Sequence, residues 1–357
     1  MEKIDQIFER YLQKKFFSGG VCSISINGQE AFLKAYGKAD TVKNKVMKAT
    51  TIFDLASITK IFTTTIILHL VTNKKISLST TLKHCLPITS RHSTLANITI
   101  NQLLSHSSGL KAWHPFYTKL PNNNFFEVLA EIDLIEENRQ EVMYSDLNFM
   151  LLGEVIKEQT NETLETTIQK MIREPLELST LTYQPSSHSD IAATEYGNRI
   201  EMKMCEDRNL VFDGWRPTHQ PISGTVNDGN AFYFFSGESG HAGLFSNIED
   251  LIKLGNLYMK GGVYKGRQLI SKELVDYSIS QRVHNRGLGW EVNGIFPEGA
   301  GHTGFTGTAI WIVPEKQLTV VILTNRLHVE KPKNINPFRK EIVETVLKEF
   351  EKLKGDL

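Results

Sequence analysis

The apolar positions of this chain change period along its length, and the changes mark out an architecture. Residues 2–16 place Ile4, Ile7, Phe8, Tyr11 and Leu12 on one stripe, the spacing of an amphipathic helix. Gly19-Gly20 ends that pattern. Residues 21–26 and 31–36 are β-compatible runs joined through Asn27-Gly28, two residues that accept the positive φ of a tight hairpin turn. From 57 to 73 apolar side chains lie on most faces of a helical pattern, which predicts a central, buried helix. Residues 97–100 read as a strand-like piece before a short helix at 101–107. Further helices are expected over 122–138, 145–160, 162–174, 247–262 and 271–280. The stretch 183–240 is rich in Ser, Gly, Asn and Asp with irregular spacing, and reads as a long loop region. Strand patterns return at 287–292, 301–306, 308–313 and 318–324, the last two joined by a hairpin at Pro314-Glu315-Lys316-Gln317, and an amphipathic helix closes the chain over 338–353.

Strands at both ends with helices between them predict an α+β sandwich. One antiparallel sheet, built from both chain ends and flanked by the terminal helices, would carry an inserted, mostly helical region. The expected partition is a discontinuous sheet domain, 1–70 with 281–357, and a helical region with long loops, 71–280. Lys plus Arg and Asp plus Glu balance at 40 each, so no global positive field exists to bind nucleic acid. Cys22, Cys85 and Cys205 are far apart and form no C-x-x-C pair, which excludes a zinc knuckle or a thioredoxin-type dithiol and suits a reducing compartment. The longest apolar run, Ile61–Val71, is broken by threonines and His69 and is shorter than the ~20 residues of a membrane span. The first residues carry no basic stretch followed by an apolar run, so a cytoplasmic location is expected.

The candidate chemistry starts at the apolar helix. Ser57 and Lys60 are three apart in its first turn and share a face. A serine at a helix start sits in the positive end of the macrodipole, which favours negative charge on its oxygen. Burial of Lys60 would lower its pKa and let it act as the serine's base. Tyr144, at the entry to a later helix, could shuttle a proton if a lysine lay nearby. The strand Gly301-His302-Thr303-Gly304-Phe305-Thr306-Gly307-Thr308 is rich in glycine, a mark of close approach by a ligand or a second backbone. Trp113, with His114, Phe116 and Tyr117, could wall an apolar acyl pocket. His241 stands in a glycine-flanked loop as a candidate substrate contact.

The ordered set Ser57-x-x-Lys60, Tyr144-x-Asp146 and His302-Thr303-Gly304 resembles the serine β-lactamase and penicillin-binding-protein superfamily, in its class C-like branch. Asn101-Gln102-Leu103-Leu104-Ser105-His106-Ser107-Ser108-Gly109-Leu110, Gly240-His241-Ala242-Gly243-Leu244-Phe245-Ser246 and Thr324-Asn325-Arg326-Leu327-His328 are similar to further segments of that branch. The resemblance covers about residues 5–350. It implies a class C β-lactamase-like fold and an acyl-enzyme on Ser57. Lys60 and Tyr144 would share the acid and base work. The N–H groups of Ser57 and Phe305 would form the oxyanion hole, with His302, Thr303 and Gly304 along the substrate edge. No metal and no organic cofactor is implied. The substrate would be a small molecule or peptide with an ester or amide bond.

Two departures bear on that substrate. Asp146 stands where the β-lactamases carry Asn; an ionised aspartate cannot donate to a substrate carbonyl, though it remains a candidate substrate contact. His302 replaces the usual lysine and would supply positive charge only when protonated, near its ~6.5 reference pKa. Both point away from anionic β-lactams, toward an esterase or a D-amino-acid or muropeptide amidase. The alternatives are a penicillin-binding or regulatory protein with little turnover, and a true β-lactamase.

Overall fold

The computed structural model describes residues 2–122, 124–131, 142–186 and 190–355. Seven strands form one antiparallel sheet: β1 Gly19–Ile26, β2 Gln29–Asp40, β3 Lys45–Val46, β4 Glu291–Val292, β5 Ala300–Thr303, β6 Ala309–Val313 and β7 Leu318–Thr324. Their spatial order is β3-β2-β1-β7-β6-β5-β4, so the two ends of the chain meet at the β1–β7 pair. That pair runs from Gly20 opposite Thr324 to Ile26 opposite Leu318.

Period-two alternation then divides the core. Ile310, Ile312, Val321 and Leu323 face a large apolar cluster under the helical part of the chain. Trp311, Val313, Val320 and Ile322 face the opposite cluster, which holds Ile4, Ile7 and Phe8 of α1 (Glu2–Gln13) and Phe338, Ile342 and Val346 of α6 (Asn336–Gly355). The sheet is therefore covered on both faces, by the two terminal helices together on one and by the helical region on the other. Between its two halves lie α2 (Thr59–Thr72), α3 (Asp146–Thr160), α4 (Arg199–Glu206) and α5 (Ile248–Met259). Nearly every residue of α2 is buried, as an all-round apolar helix requires. Among the described residues, no helix is long and apolar enough to cross a membrane.

Several expectations need correction. Residues 97–100 make only a single bridge at Thr99, which caps the helix Ile100–Leu104 through a reciprocal capping box with Gln102. The 183–240 region is not all loop, since it contains α4 and a π-type turn at Asn230–Phe234. The predicted 301–306 strand stops at Thr303, because Gly304–Gly307 turn back on themselves with Gly307 N–H bonded to the Gly304 carbonyl. Only Glu291–Val292 of 287–292 is strand. Of the 122–138 helix, Phe125–Glu131 is present, and 132–138 lie outside the described residues. The 162–174 helix is Leu164–Ile168 followed by a π-type turn, Gln169–Arg173.

Candidate active site

Ser57 lies on a single 3-10 turn, Ala56–Ile58, that runs directly into α2. The residue before it is strained: Ala56 has φ 47°, a left-handed conformation that costs a side-chain-bearing residue on the order of 1–3 kcal/mol. Asp54 holds it there. This buried carboxylate accepts from the Ala56 N–H at 2.9 Å and from the Asn227 N–H at 2.6 Å. Burial pushes its pKa up to about 6 against those two hydrogen bonds.

The turn after β5 is clamped to the same segment. Thr306 Oγ1 donates to the Asp54 carbonyl at 2.8 Å and Thr308 Oγ1 to the Leu55 carbonyl at 2.9 Å. Gly304 makes that approach possible, since a Cβ there would fall 2.0 Å from Thr308 Oγ1 and 2.6 Å from the Leu55 carbonyl. The clamp sets Phe305 beside Ser57, and both line the same two cavities. Among the described residues, β5 has no partner strand on the β4 side beyond Gly301, so His302 and Thr303 form an open edge.

Tyr144 is placed by His106. The Met143 N–H bonds to the His106 carbonyl at 3.0 Å and the Ser145 N–H to its Nδ1 at 3.0 Å. The imidazole packs 4.6 Å from the Tyr144 ring. Burial, then Arg286 and Lys60, push the His106 pKa well down, so its Nδ1 remains an acceptor.

Lys60 is wholly buried. Its Nζ donates to Ser57 Oγ at 3.1 Å and to the His241 carbonyl at 2.9 Å, and lies 2.7 Å from Asp146 Oδ1. The expected lowering of its pKa is reversed. Burial pulls it down, but the Asp146 carboxylate and the Tyr144 hydroxyl outweigh burial and hold it above the ordinary lysine value. Asp146, expected as a substrate contact, lines a cavity on Ser57 and is also the ion-pair partner of Lys60.

His241 is corrected as well. Its ring is buried, with Nε2 3.0 Å from Asp228 Oδ1 and Nδ1 2.7 Å from Ser239 Oγ, and it faces neither cavity. Its contribution is the carbonyl on Lys60. The glycine-rich loop around it docks along α2, with the Gly240 carbonyl accepting from Thr63 Oγ1 at 2.7 Å and the Leu244 N–H reaching Thr59 Oγ1 at 3.2 Å. Among the described residues, Asp146, Asp228 and His241 are the group whose donor atoms, all within 4.8 Å of one another, could share an ion. Asp146 is paired with Lys60 and His241 with Asp228, so the cation this group already holds is the lysine ammonium.

Two cavities open on Ser57. One, of about 180 Å³, has Trp113, Met204 and Phe305 as apolar walls and Asp146, Asp228 and Glu201 as polar ones. Trp113 is therefore at the site, while Phe116 and Tyr117 are buried in the core behind it. Glu201 accepts from Tyr117 Oη at 3.0 Å and from the Gly229 N–H at 2.7 Å; burial and the Asp228 charge push its pKa up to about 8. The other cavity, of about 350 Å³, holds Arg286, Arg326 and Arg339 beside His302 and Tyr144. The Arg286 guanidinium stands 5.1 Å from the Tyr144 ring centre, and its Nε is buried without a partner. Arg339 donates to the Gly304 and Thr308 carbonyls at 2.9 and 2.8 Å. His302 cannot be the switchable cation, because burial, then Arg286 and Lys60, push its pKa well below the ordinary value. Positive charge enters from the arginines instead.

A serine on a strained turn, with a lysine and a tyrosine hydroxyl close to it and a strand edge beside it, is the geometry of the site. The family comparison agrees, with the Beta-lactamase family model matching residues 4–344. The chain belongs to the beta-lactamase family. This beta-lactamase-family protein is 29% identical to the N-acetylmuramyl-L-alanine amidase of Bacillus subtilis (strain 168), over 95% of its own length and 84% of the relative's. Solved structures share its fold. The class C beta lactamase from Rhodobacter sphaeroides gives a TM-score of 0.73 at 18% identity, covering 97% of this chain and all (100%) of the other. EstCE1, a hydrolase with promiscuous acyltransferase activity, gives 0.71 at 18% identity, covering 96% and 97%. Family and site together make the protein a serine hydrolase of this family.

Sequence reading alone missed Asp54, Asn227 and the arginines. Asp54 stands three residues before Ser57, a signal that was legible. Arg286 and Arg339 reach the site from a loop and from the terminal helix, with no local spacing to betray them.

Proposed function

We propose that this hydrolase cleaves the amide bond of a short, carboxylate-bearing peptide or muropeptide fragment through an acyl-enzyme on Ser57. The arginine-lined cavity beside Ser57 carries the reading. A guanidinium matches a carboxylate in two parallel hydrogen bonds, and Arg286 lines that cavity beside Ser57 and Tyr144. The amino-acid half of the substrate would place its carboxylate among the arginines, and the acyl half would enter the Trp113 cavity. Ser57 Oγ attacks the carbonyl, and the N–H groups of Ser57 and Phe305 receive the oxyanion; losing one such donor costs ~100–1,000-fold in turnover. Lys60 and Tyr144 pass the serine proton to the leaving nitrogen, and water releases the acid. The name of the Bacillus subtilis relative supports an amide substrate.

The test compares N-acetylmuramyl-L-alanine, a peptide ending in D-alanyl-D-alanine, p-nitrophenyl acetate and nitrocefin, with Ser57→Ala as control. Turnover of one of the two carboxylate-bearing amides, lost in Ser57→Ala, is the expected result. Nitrocefin turned over faster than either amide would establish a β-lactamase instead. Acylation of Ser57 without turnover of any substrate would establish a binding protein.

A further inference from the structure

Ser57 can attack only if its hydroxyl proton leaves, and the destination of that proton is not obvious in this site. The neighbour placed to take it is Lys60, whose Nζ faces Ser57 Oγ at 3.1 Å, the His241 carbonyl at 2.9 Å and Asp146 Oδ1 at 2.7 Å. An ammonium has three hydrogens and no lone pair, and with the Tyr144 hydroxyl four oxygens share those hydrogens, so Lys60 cannot take a serine proton without first giving one up. The carboxylate contact keeps Lys60 in that charged form.

Among the described residues, neither His106 nor His302 hydrogen-bonds to Ser57 or Lys60: His106 Nδ1 accepts from the Ser145 N–H, His302 Nδ1 lies against the Thr303 carbonyl, and the Nε2 of each is buried without a partner. Arg286 has no acceptor atom. Asp228 Oδ1 is held by His241 Nε2 and by the Ala231 N–H at 2.8 Å. Tyr144, whose hydroxyl also hydrogen-bonds Lys60, is the group that carries a Lys60 proton onward to the leaving nitrogen. The anion in contact with Lys60 is Asp146.

We propose that Asp146 is the terminal acceptor of the Ser57 proton, reached through Lys60. As the Oγ–carbon bond forms, one Nζ proton passes to Asp146 Oδ1, and the lone pair this frees on Nζ takes the Ser57 proton. Lys60 stays an ammonium, Asp146 becomes a neutral acid and the negative charge moves to the oxyanion. When the oxyanion collapses, Asp146 returns its proton to Lys60, and a Lys60 proton reaches the leaving nitrogen as the carbon–nitrogen bond breaks. The asparagine that β-lactamases carry at this position can neither take nor return a proton. In this chain the substitution therefore adds a proton site to the machinery, in line with Ser57 and Lys60. The proposal rests on Ser57 being the nucleophile, and its test keeps the two apart.

The experiment is the pH dependence of Ser57 acylation, followed as the p-nitrophenolate burst or as fluorophosphonate labelling, in wild type and in D146N, D146E and S57A. In D146N a neutral Lys60 must serve as base. Acylation is expected to fall by about 100-fold near neutral pH and to recover about tenfold per pH unit toward the lysine range, while the wild-type rate stays flat. Alkaline recovery within one protein also shows that the variant is folded. D146E, which keeps the carboxylate, is expected to stay flat at a reduced rate. A D146N deficit that is constant with pH, or carried by KM alone, overturns the relay in favour of a plain contact. D146N acylating faster than wild type near neutrality overturns it too, since Asp146 would then only hold Lys60 protonated. An alkaline-dependent D146E would also overturn it. S57A acylating like wild type would defeat the Ser57 reading itself, whatever Asp146 does.

Discussion

At the scale of single residues, the positive charge beside Ser57 comes from arginines and not from the motif position. The motif position that usually carries lysine holds His302, and burial among cations keeps that ring neutral. Arg286 supplies the charge from another part of the chain, half-buried against Tyr144 with an unpaired Nε. Arg339 is less free, because its guanidinium ties the Gly304 and Thr308 carbonyls. Arg286→Ala should therefore act on substrate charge with little effect on the fold. KM for a carboxylate-bearing amide is expected to rise about tenfold or more, and KM for neutral p-nitrophenyl acetate by much less. Steady-state kinetics on the two substrates, with thermal unfolding as the control, checks it; equal effects on both would remove Arg286 from carboxylate binding. Ser57, Lys60 and Tyr144 were legible in the sequence because each stands in a short local pattern. Arg286 was not, because its relation to Ser57 exists only once the sheet has closed. The sign of the Lys60 shift was misread for the same reason: the carboxylate that sets it is 86 positions away in the chain (146 minus 60) and 2.7 Å away in space.

At the scale of elements, the glycine-rich loop 240–246 is the brace of α2. It delivers carbonyls to Thr63 and Lys60 and an N–H to Thr59 along the length of the helix's first turns. Such close docking needs a residue without a side chain. A Cβ on Gly240 would fall 2.2 Å from the Phe149 carbonyl and 2.8 Å from the Gly153 N–H, both backbone atoms of α3 that cannot rotate aside. Gly240→Ala is expected to destabilise the protein by about 1–3 kcal/mol, the usual range for overpacking. It should also slow Ser57 labelling at temperatures where the variant remains folded, since the loop that shifts carries the carbonyl on Lys60. A lower Tm with unchanged labelling would show that the loop supports the fold and not the lysine. The terminal helices were legible from their period of 3.6, the Asn27-Gly28 hairpin from its turn, and the strands Ala309–Val313 and Leu318–Thr324 from short apolar runs bounded by turn residues. The interior of 183–240 was not. Its helix α4 is short and buries only Glu201 and Cys205 among its eight residues, so no apolar stripe announces it.

At the scale of the whole molecule, the helix that no apolar stripe announced brings an ionisable group into the core, and stability must then depend on pH. Glu201 is buried against Tyr117 and Gly229, and its pKa rises to about 8 through burial and the neighbouring charge of Asp228. In the unfolded chain a glutamate releases its proton near ~4.3. Between those values the folded state holds a proton that the unfolded state has lost, so this group's contribution to stability is complete at low pH and declines as pH rises through the window. The slope can reach about 1.4 kcal/mol per pH unit for one proton. Asp54, raised to about 6, adds a decline of the same sign at lower pH. His106 and His302 act in the opposite sense: their folded pKa values lie well below normal, and they withdraw stability as pH falls below the ordinary histidine value. A raw stability curve mixes these terms, but a difference curve separates them. Glu201→Gln keeps the shape and removes the proton, so wild type minus variant should decline from about pH 5 to about pH 8 and then level off. Urea unfolding of both proteins at matched pH reads that difference directly. A flat difference would mean that Glu201 is ionised in the folded protein, and that the Trp113 cavity carries its negative charge beside those of Asp146 and Asp228.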